Sequence, residues 1–365
     1  YGNPGAIHTE GERARVAVKK ARQEVAHVLG VQPSEIIFTG SGTESNNLAV
    51  LGHIDALHDA GRPYERMEVI TTEIEHPSLL AFLPLLTKKG VQVRYVSVTE
   101  TGLLTREALL SALSPDTVLL ACAYANSEIG VVQPLSRLVR TVRAYEREKN
   151  QSIWIHLDAA QAPLWLPCAR PRLGVDSLAL DAGKCGGPKG VGVLCVKDKS
   201  QLSPILYGGG QEGGLRPGTE NVAGIVGAAT ALVVAQADYE ARARKVSAVR
   251  DAALARLRDI LPEAILNGSE GEERLANNIN FSLPGFDTEY AVVWLNERGV
   301  AASTKSACAG AGSGRSHVVY VCTGDDTRAR ATIRLTMGEE TTVSDLEFAF
   351  STLASFCAKM RELTN

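Results

Sequence analysis

Residues 176–196 read Asp-Ser-Leu-Ala-Leu-Asp-Ala-Gly-Lys-Cys-Gly-Gly-Pro-Lys-Gly-Val-Gly-Val-Leu-Cys-Val. A single lysine, Lys184, lies between two short apolar runs, 177–180 and 191–196, which Gly183, Gly186, Gly187, Pro188 and Gly190 hold apart. Apolar runs bounded by Gly and Pro read as strand, tight turn, strand. A lysine at the tip of such a turn, directed back toward a sheet, is held near the interior, where desolvation lowers the pKa of an ammonium. Taken alone, the same stretch also describes a solvated hairpin lysine, because short motifs match by chance. The rest of the chain decides between the two.

Working outward, apolar runs alternate with helical patterns. Residues 12–29 place Ala14, Val18, Ala21, Val25 and Val28 on one helical face, with Gly30 as a stop. A strand at 35–39 runs into Gly40-Ser41-Gly42-Thr43-Glu44-Ser45-Asn46-Asn47, and a helical pattern follows from about Leu48. Glycines and a hydroxyl at a helix start present free backbone N–H groups and a positive dipole end, which suit a phosphate. Such turns also serve as simple caps. Further strands read at 67–71, 91–98, 117–123 and 153–157, with helices between them. This alternation predicts a mostly parallel sheet with helices on both faces, whose ligands sit beyond the carboxyl ends of the strands. Gly42, Thr43, His76, Asn126 and Asp158 all fall at or just after strand ends.

Composition narrows the function classes. The 365 residues are 45% hydrophobic and carry a net charge of −3, with no basic field for nucleic acid and no apolar run long enough to span a bilayer. Seven cysteines show no Cys-x-x-Cys pair, so they predict reduced thiols in a cytoplasmic setting rather than disulfides or a zinc site. The chain begins at Tyr1 without a Met, which suggests a missing N-terminal segment. A domain change is expected near residue 236, giving a large domain at 1–235 and a smaller α+β domain at 236–365. Before that change, the glycine-rich run 207–221 reads as a surface connection; after it, the charged run 239–261 reads as a solvated helix face. In the smaller domain, Cys308 sits in Ser-Ala-Cys-Ala-Gly-Ala-Gly-Ser-Gly-Arg-Ser (306–316), a segment too small and glycine-rich to pack. It is the cysteine whose surroundings favour an accessible thiolate. Arg334, in an alternating strand pattern at 331–336, either clamps a carboxylate or forms a surface salt bridge.

Together these stretches resemble the cysteine desulfurase family of pyridoxal-phosphate enzymes, class V of the aspartate-aminotransferase fold. The matching segments are Tyr1-Gly2-Asn3-Pro4, 41–47, Glu75-His76, Ala125-Asn126-Ser127-Glu128-Ile129-Gly130-Val131, His156-Leu157-Asp158-Ala159-Ala160-Gln161, Gly183-Lys184 with Gly187-Pro188-Lys189-Gly190, 208–221, Ser306-Ala307-Cys308 and Ile333-Arg334-Leu335. They run in family order over nearly the whole chain. The resemblance implies the type I fold of pyridoxal-phosphate-dependent transferases: α/β, with a large, mostly parallel seven-stranded sheet domain and a smaller α+β domain carrying a mobile cysteine loop. By the same resemblance Lys184 holds pyridoxal 5'-phosphate as a Schiff base and then acts as the base at the substrate Cα. Asp158 pairs with the pyridine N–H, His76 stacks on the ring and handles the substrate thiol proton, and Gln161 bonds the ring's phenolic oxygen. Gly42 and Thr43 hold the phosphate, joined by Thr219 from the other subunit of a homodimer. Asn126 and Arg334 grip the carboxylate of L-cysteine. Cys308 takes the sulfur as a persulfide for an acceptor protein, such as an iron-sulfur scaffold or a tRNA-thiolation protein, and alanine leaves.

The chain departs from the family pattern at three places. Where Ser-x-His-Lys is usual it has Asp181-Ala182-Gly183-Lys184, so a carboxylate stands where a hydroxyl would meet the phosphate. Lys305 precedes Ser306 where glycine is common, and the family's opening Asp-Asn-Ala-Ala-Thr is absent. Two other readings stay open on the same scaffold: a selenocysteine lyase or related β-lyase, and a member with weakened catalysis that serves as a scaffold, which Asp181 and Gly183 favour.

Overall fold

The computed structural model of the chain describes residues 2–304 and 314–364. Seven strands form one sheet: β1 (Ile36–Thr39), β2 (Glu68–Thr71), β3 (Gln92–Tyr95), β4 (Thr117–Ala123), β5 (Trp154–Asp158), β6 (Ser177–Asp181) and β7 (Gly192–Val196). Their order is β1-β7-β6-β5-β4-β2-β3; β7 alone runs antiparallel to its neighbours, and every other pairing is parallel. Apart from the edge strand β3, the strands are buried almost throughout, which is why they read as continuous apolar runs. The helix Gly42–Asp59 covers one face with Leu48, Val50 and Ile54, packed on Ile37, Val69, Leu119 and Leu194.

The stretch at 176–196 folds as its pattern dictates. β6 and β7 pair antiparallel with Asp181 opposite Gly192, and the 3-10 turn Ala182–Cys185 joins them through Gly186 at φ +83°. β7 also pairs with β1, Thr39 opposite Gly192, and any side chain at Gly192 would overlap the Ser41 carbonyl. The helix after β1 starts at Gly42, earlier than the apolar period from Leu48 indicated. Ser41 is its N-cap, with Oγ accepting from Glu44 N at 3.2 Å, so a hydroxyl outside the apolar period sets the boundary.

Two compact units divide the chain. The first comprises residues 1–97, 104–124 and 134–239 and holds the seven-stranded sheet; the second comprises 98–103, 125–133 and 240–365. Residue 236 lies inside the helix Val222–Ala237, and the main change falls after Tyr239. The excursions 98–103 and 125–133 join the second unit by hydrogen bonds from Gln133 Nε2 to Gly102 O and from Asn278 and Asn280 Nδ2 to Glu128 O. That unit's sheet, β8 (Ile265–Leu266), β9 (Asn278–Ser282), β10 (Ser303–Thr304) and β11 (Thr332–Thr336), is antiparallel in the order β10-β11-β9-β8. Phe281 of β9 meets Phe350 of the helix Val343–Thr364 edge to face.

Candidate active site

The carboxyl ends of β1, β2, β4, β5 and β6 share one edge of the large sheet. Asp158 ends β5 and stands opposite Ala123 of β4 and Ala179 of β6. Gly42 opens the helix after β1, His76 caps the short helix Pro77–Leu80 after β2, and Lys184 follows β6.

A buried hydrogen-bond chain fixes these groups. Asp158 Oδ2 accepts from Asn46 Nδ2 at 2.8 Å, and Oδ1 accepts from Ala160 N at 3.0 Å. A carboxylate only accepts, so the Asn46 amide must turn its NH2 toward Asp158 and its Oδ1 toward His156 Nε2, 3.0 Å away. His156 therefore carries its proton on Nε2 and accepts at Nδ1 from Ser177 Oγ, 2.8 Å away; that hydroxyl in turn accepts from Trp154 Nε1. Complete burial pushes the His156 pKa down to about 3 and keeps the ring neutral. On the other side, Asn46 Nδ2 donates to Ser78 Oγ at 2.8 Å, and both Ser78 Oγ and Ser78 N approach His76 Nδ1, at 2.8 and 3.1 Å. The backbone N–H can only donate, so neutral His76 keeps its proton at Nε2. Partial burial lowers the pKa of His76, Asp158 and Asp181 pull it up, and Lys184 pushes it down. His76 thus feels three of the groups at this edge at once.

Glu75, beside His76, is buried. Its Oε1 accepts from Thr72 Oγ1 at 2.6 Å and its Oε2 from Ala123 N at 2.7 Å, tying the loop after β2 to the end of β4. Burial raises its pKa to about 8; Asp158 adds to the rise and the two hydrogen bonds oppose it.

Lys184 departs from expectation. It is exposed rather than held toward the interior, because the 3-10 turn carries it past the sheet edge. Thr43 and Thr219 are also exposed, and Gln161 is half-buried in the turn after β5. Gly42 N does not stand free: it donates to Asp181 Oδ2 at 3.2 Å, while Asp181 Oδ1 accepts from Gly183 N at 2.9 Å. The glycine-rich run before Thr219 is anchored, not a loose connection. Glu212, buried at φ +51°, binds Arg22 with both oxygens at 2.8 and 2.5 Å and accepts from Phe38 N of β1. Arg216 pairs with Glu44 at 2.9 Å.

Asn126 and Arg334 belong to the second unit. Asn126 Oδ1 caps the turn by accepting from Glu128 N and Ile129 N, and Arg334 Nη1 donates to Ser127 O at 2.8 Å. Arg334 Nε is buried with no hydrogen-bond partner among the described residues. Cys308 and Lys305 lie outside the described residues. The six described cysteines are unpaired, five of them buried, and burial raises the pKa of every one. The positioning residues Asn46, Ser78 and His156 went unassigned from sequence, although Asn46 and His156 sit inside the motif segments.

A lysine, a buried carboxylate and a histidine at the carboxyl edge of such a sheet define a pyridoxal-phosphate enzyme of fold type I. Residues 1–348 match the Aminotransferase class-V family model. Over its whole length the chain is 35% identical to "Cysteine desulfurase IscS" of Dictyoglomus turgidum, covering 89% of that protein. It is 34% identical to "Cysteine desulfurase IscS" of Methanosarcina thermophila, covering 87% of it. Among solved structures, a "NifS-like protein" superposes with a TM-score of 0.87 at 32% identity, over 98% of this chain and 92% of that one. "SspA in complex with cysteine" superposes with a TM-score of 0.76 at 31% identity, over 93% and 91%. The chain belongs to the class V aminotransferase family, whose cofactor is pyridoxal phosphate. The residues present fit the ring end of that cofactor: Asp158 is an acceptor-only carboxylate for a pyridinium N–H, and His76 and Lys184 stand at the same edge. The phosphate end is different, since the Gly42 amide is taken by a carboxylate.

Proposed function

We infer that the chain is a cysteine desulfurase, taking sulfur from L-cysteine, releasing L-alanine, and passing the sulfur through a persulfide on Cys308 to an acceptor protein. The observation that carries this is the meeting of Asp158, His76 and Lys184 on one strand-end edge, in a chain matched over its full length by cysteine desulfurases.

Pyridoxal phosphate, when bound, supplies an electron sink that stabilises negative charge at the substrate Cα. Asp158, oriented by Asn46 and Ala160 N, keeps the ring nitrogen protonated. Lys184 binds the cofactor and afterwards moves the Cα proton. His76 holds its proton at Nε2, on the side away from Ser78. Gln161 is assigned to the ring oxygen, and Gly42, Thr43 and Thr219 to the phosphate. Arg334, with Nε unpaired among the described residues, and Asn126 are assigned to the substrate carboxylate. The Cys308 thiolate attacks the substrate sulfur: the Cβ–S bond breaks, an S–S bond forms on Cys308, and the carbon fragment gains a proton to become alanine. One cysteine and one enzyme thiol give one alanine and one persulfide, with no outside oxidant or reductant. Cys308 is assigned this role because burial raises the pKa of the other six thiols.

A homodimer is part of the proposal. Lys184 and Thr219 are exposed in the single chain, as are Ile7 at 99%, Tyr207 at 87% and Val234 at 61%. Apolar exposure on this scale favours burial against a second copy. The unpaired thiols favour a cytoplasmic location.

The test is a cysteine turnover assay on the pyridoxal-phosphate-loaded protein, its Cys308→Ala variant and its Lys184→Ala variant. Sulfide release in the presence of a thiol reductant, lost in both variants, is the expected outcome. Undiminished release by Cys308→Ala would refute the persulfide step.

A further inference from the structure

We propose that Asp181 is an internal stand-in for the cofactor's phosphate, so that cofactor loading is an exchange of one anion for another and the chain holds the phosphate far more weakly than the ring. This rests on the pyridoxal-phosphate reading above.

The carboxylate bridges two amides: Oδ2 accepts from Gly42 N, in the first turn of an 18-residue helix, and Oδ1 from Gly183 N, next to Lys184. A helix start attracts an anion through its free N–H groups and its dipole, and here the anion is part of the chain. The fit is close. A Cβ at Gly42 would stand 3.3 Å from both Cβ and Oδ2 of Asp181, and one at Gly183 would stand 3.2 Å from Oδ1. Arg216, whose Nη2 lies beside Gly40, has its Nε bound to Glu44 Oε1 at 2.9 Å, and Glu44 Oε2 accepts from Gly40 N at 2.7 Å. Two carboxylates therefore crowd this helix start, and among the described residues Asp181 forms no ion pair. A phosphate that takes the Gly42 amide must displace the Asp181 carboxylate or remain beside it, and either adds a cost that the rest of the cofactor does not meet.

Pyridoxal and pyridoxal phosphate differ only at this end, so the ratio of their dissociation constants isolates it. Equilibrium dialysis of each compound against the cofactor-stripped full chain gives that ratio for the wild type, for Asp181→Ser, and for Asp181→Asn, which keeps the shape and an acceptor while removing the charge. Both substitutions are expected to raise the preference for the phosphorylated compound by about tenfold or more, about 1.4 kcal/mol, while moving pyridoxal affinity by less than about threefold. An unchanged preference in both variants overturns the proposal. Failure of all three proteins to bind either compound overturns it together with the cofactor reading itself, and that outcome is distinct from an unchanged ratio.

Discussion

Replacing Glu75 by glutamine should make the protein's stability less dependent on pH on the alkaline side. The carboxyl lies in a fully buried site, where desolvation raises its pKa from 4.5 to about 8. Between pH 7 and pH 9 the folded protein gives up this proton while the unfolded chain has already lost it. The folded state binds more protons in that window, so stability falls as pH rises. For a folded value of about 8, the loss from pH 7 to pH 9 is about 1.4 kcal/mol. In Glu75→Gln the side chain is neutral throughout, its carbonyl can accept from Ala123 N, and its NH2 can donate to Thr72 Oγ1. Other titrating groups are common to both proteins and cancel in the comparison. Urea denaturation at the two pH values is the assay: the variant's stability relative to wild type should improve by about 1.4 kcal/mol on going from pH 7 to pH 9. An equal difference at both pH values would show that Glu75 is already ionised in the fold and would refute the burial argument.

Acid stability should respond to His53, which stacks on Trp154 at 4.5 Å and whose burial lowers its pKa from 6.5 to about 4. The unfolded state binds more protons between those values, so stability is lost as pH falls, and His53→Gln should shrink that slope by about 1 kcal/mol per pH unit in denaturation curves at pH 6 and pH 5. Arg22→Met leaves the buried Glu212 carboxylate without its bidentate partner; with Arg22 itself 20% exposed, unfolding should be easier by about 2–4 kcal/mol, read by thermal melts. Asn46→Ala strips a donor from Asp158 and an acceptor from His156, and should cost about 1–3 kcal/mol of stability and weaken pyridoxal phosphate binding in the same dialysis assay. Arg334→Lys, which loses the planar fork, should raise KM for L-cysteine more than it changes kcat.

Much of the site is legible in sequence because its residues sit where secondary structure changes. The Gly-Pro punctuation around Lys184 predicts β6, its turn and β7, and the apolar runs predict the other strands to within a few residues. Asp158 and His76 follow from their place at strand ends. Long-range pairing is hidden from such a reading. Nothing near Asn46 reveals that its amide faces Asp158 on one side and His156 on the other, since the helix that carries it meets β5 only through the fold of the sheet, in which β7 and β6 lie between β1 and β5. Glu212 looks like one more residue of a glycine-rich connection until Arg22, far upstream, is seen to grip it. The excursions 98–103 and 125–133 escape for the same reason: local periodicity says nothing about which unit a segment packs into. Lys184 is exposed because a 3-10 turn, not a simple hairpin, follows β6.

If Lys184 and its edge of the sheet convert L-cysteine to L-alanine, the most direct measurement is alanine formed from a limiting quantity of L-cysteine by the pyridoxal-phosphate-loaded protein and by Lys184→Ala, with the mass of the peptide carrying Cys308 read in the same samples. One alanine per cysteine consumed, with one added sulfur on that peptide and neither product in Lys184→Ala, is the predicted result. No alanine from the wild type, or equal alanine from the variant, would contradict it.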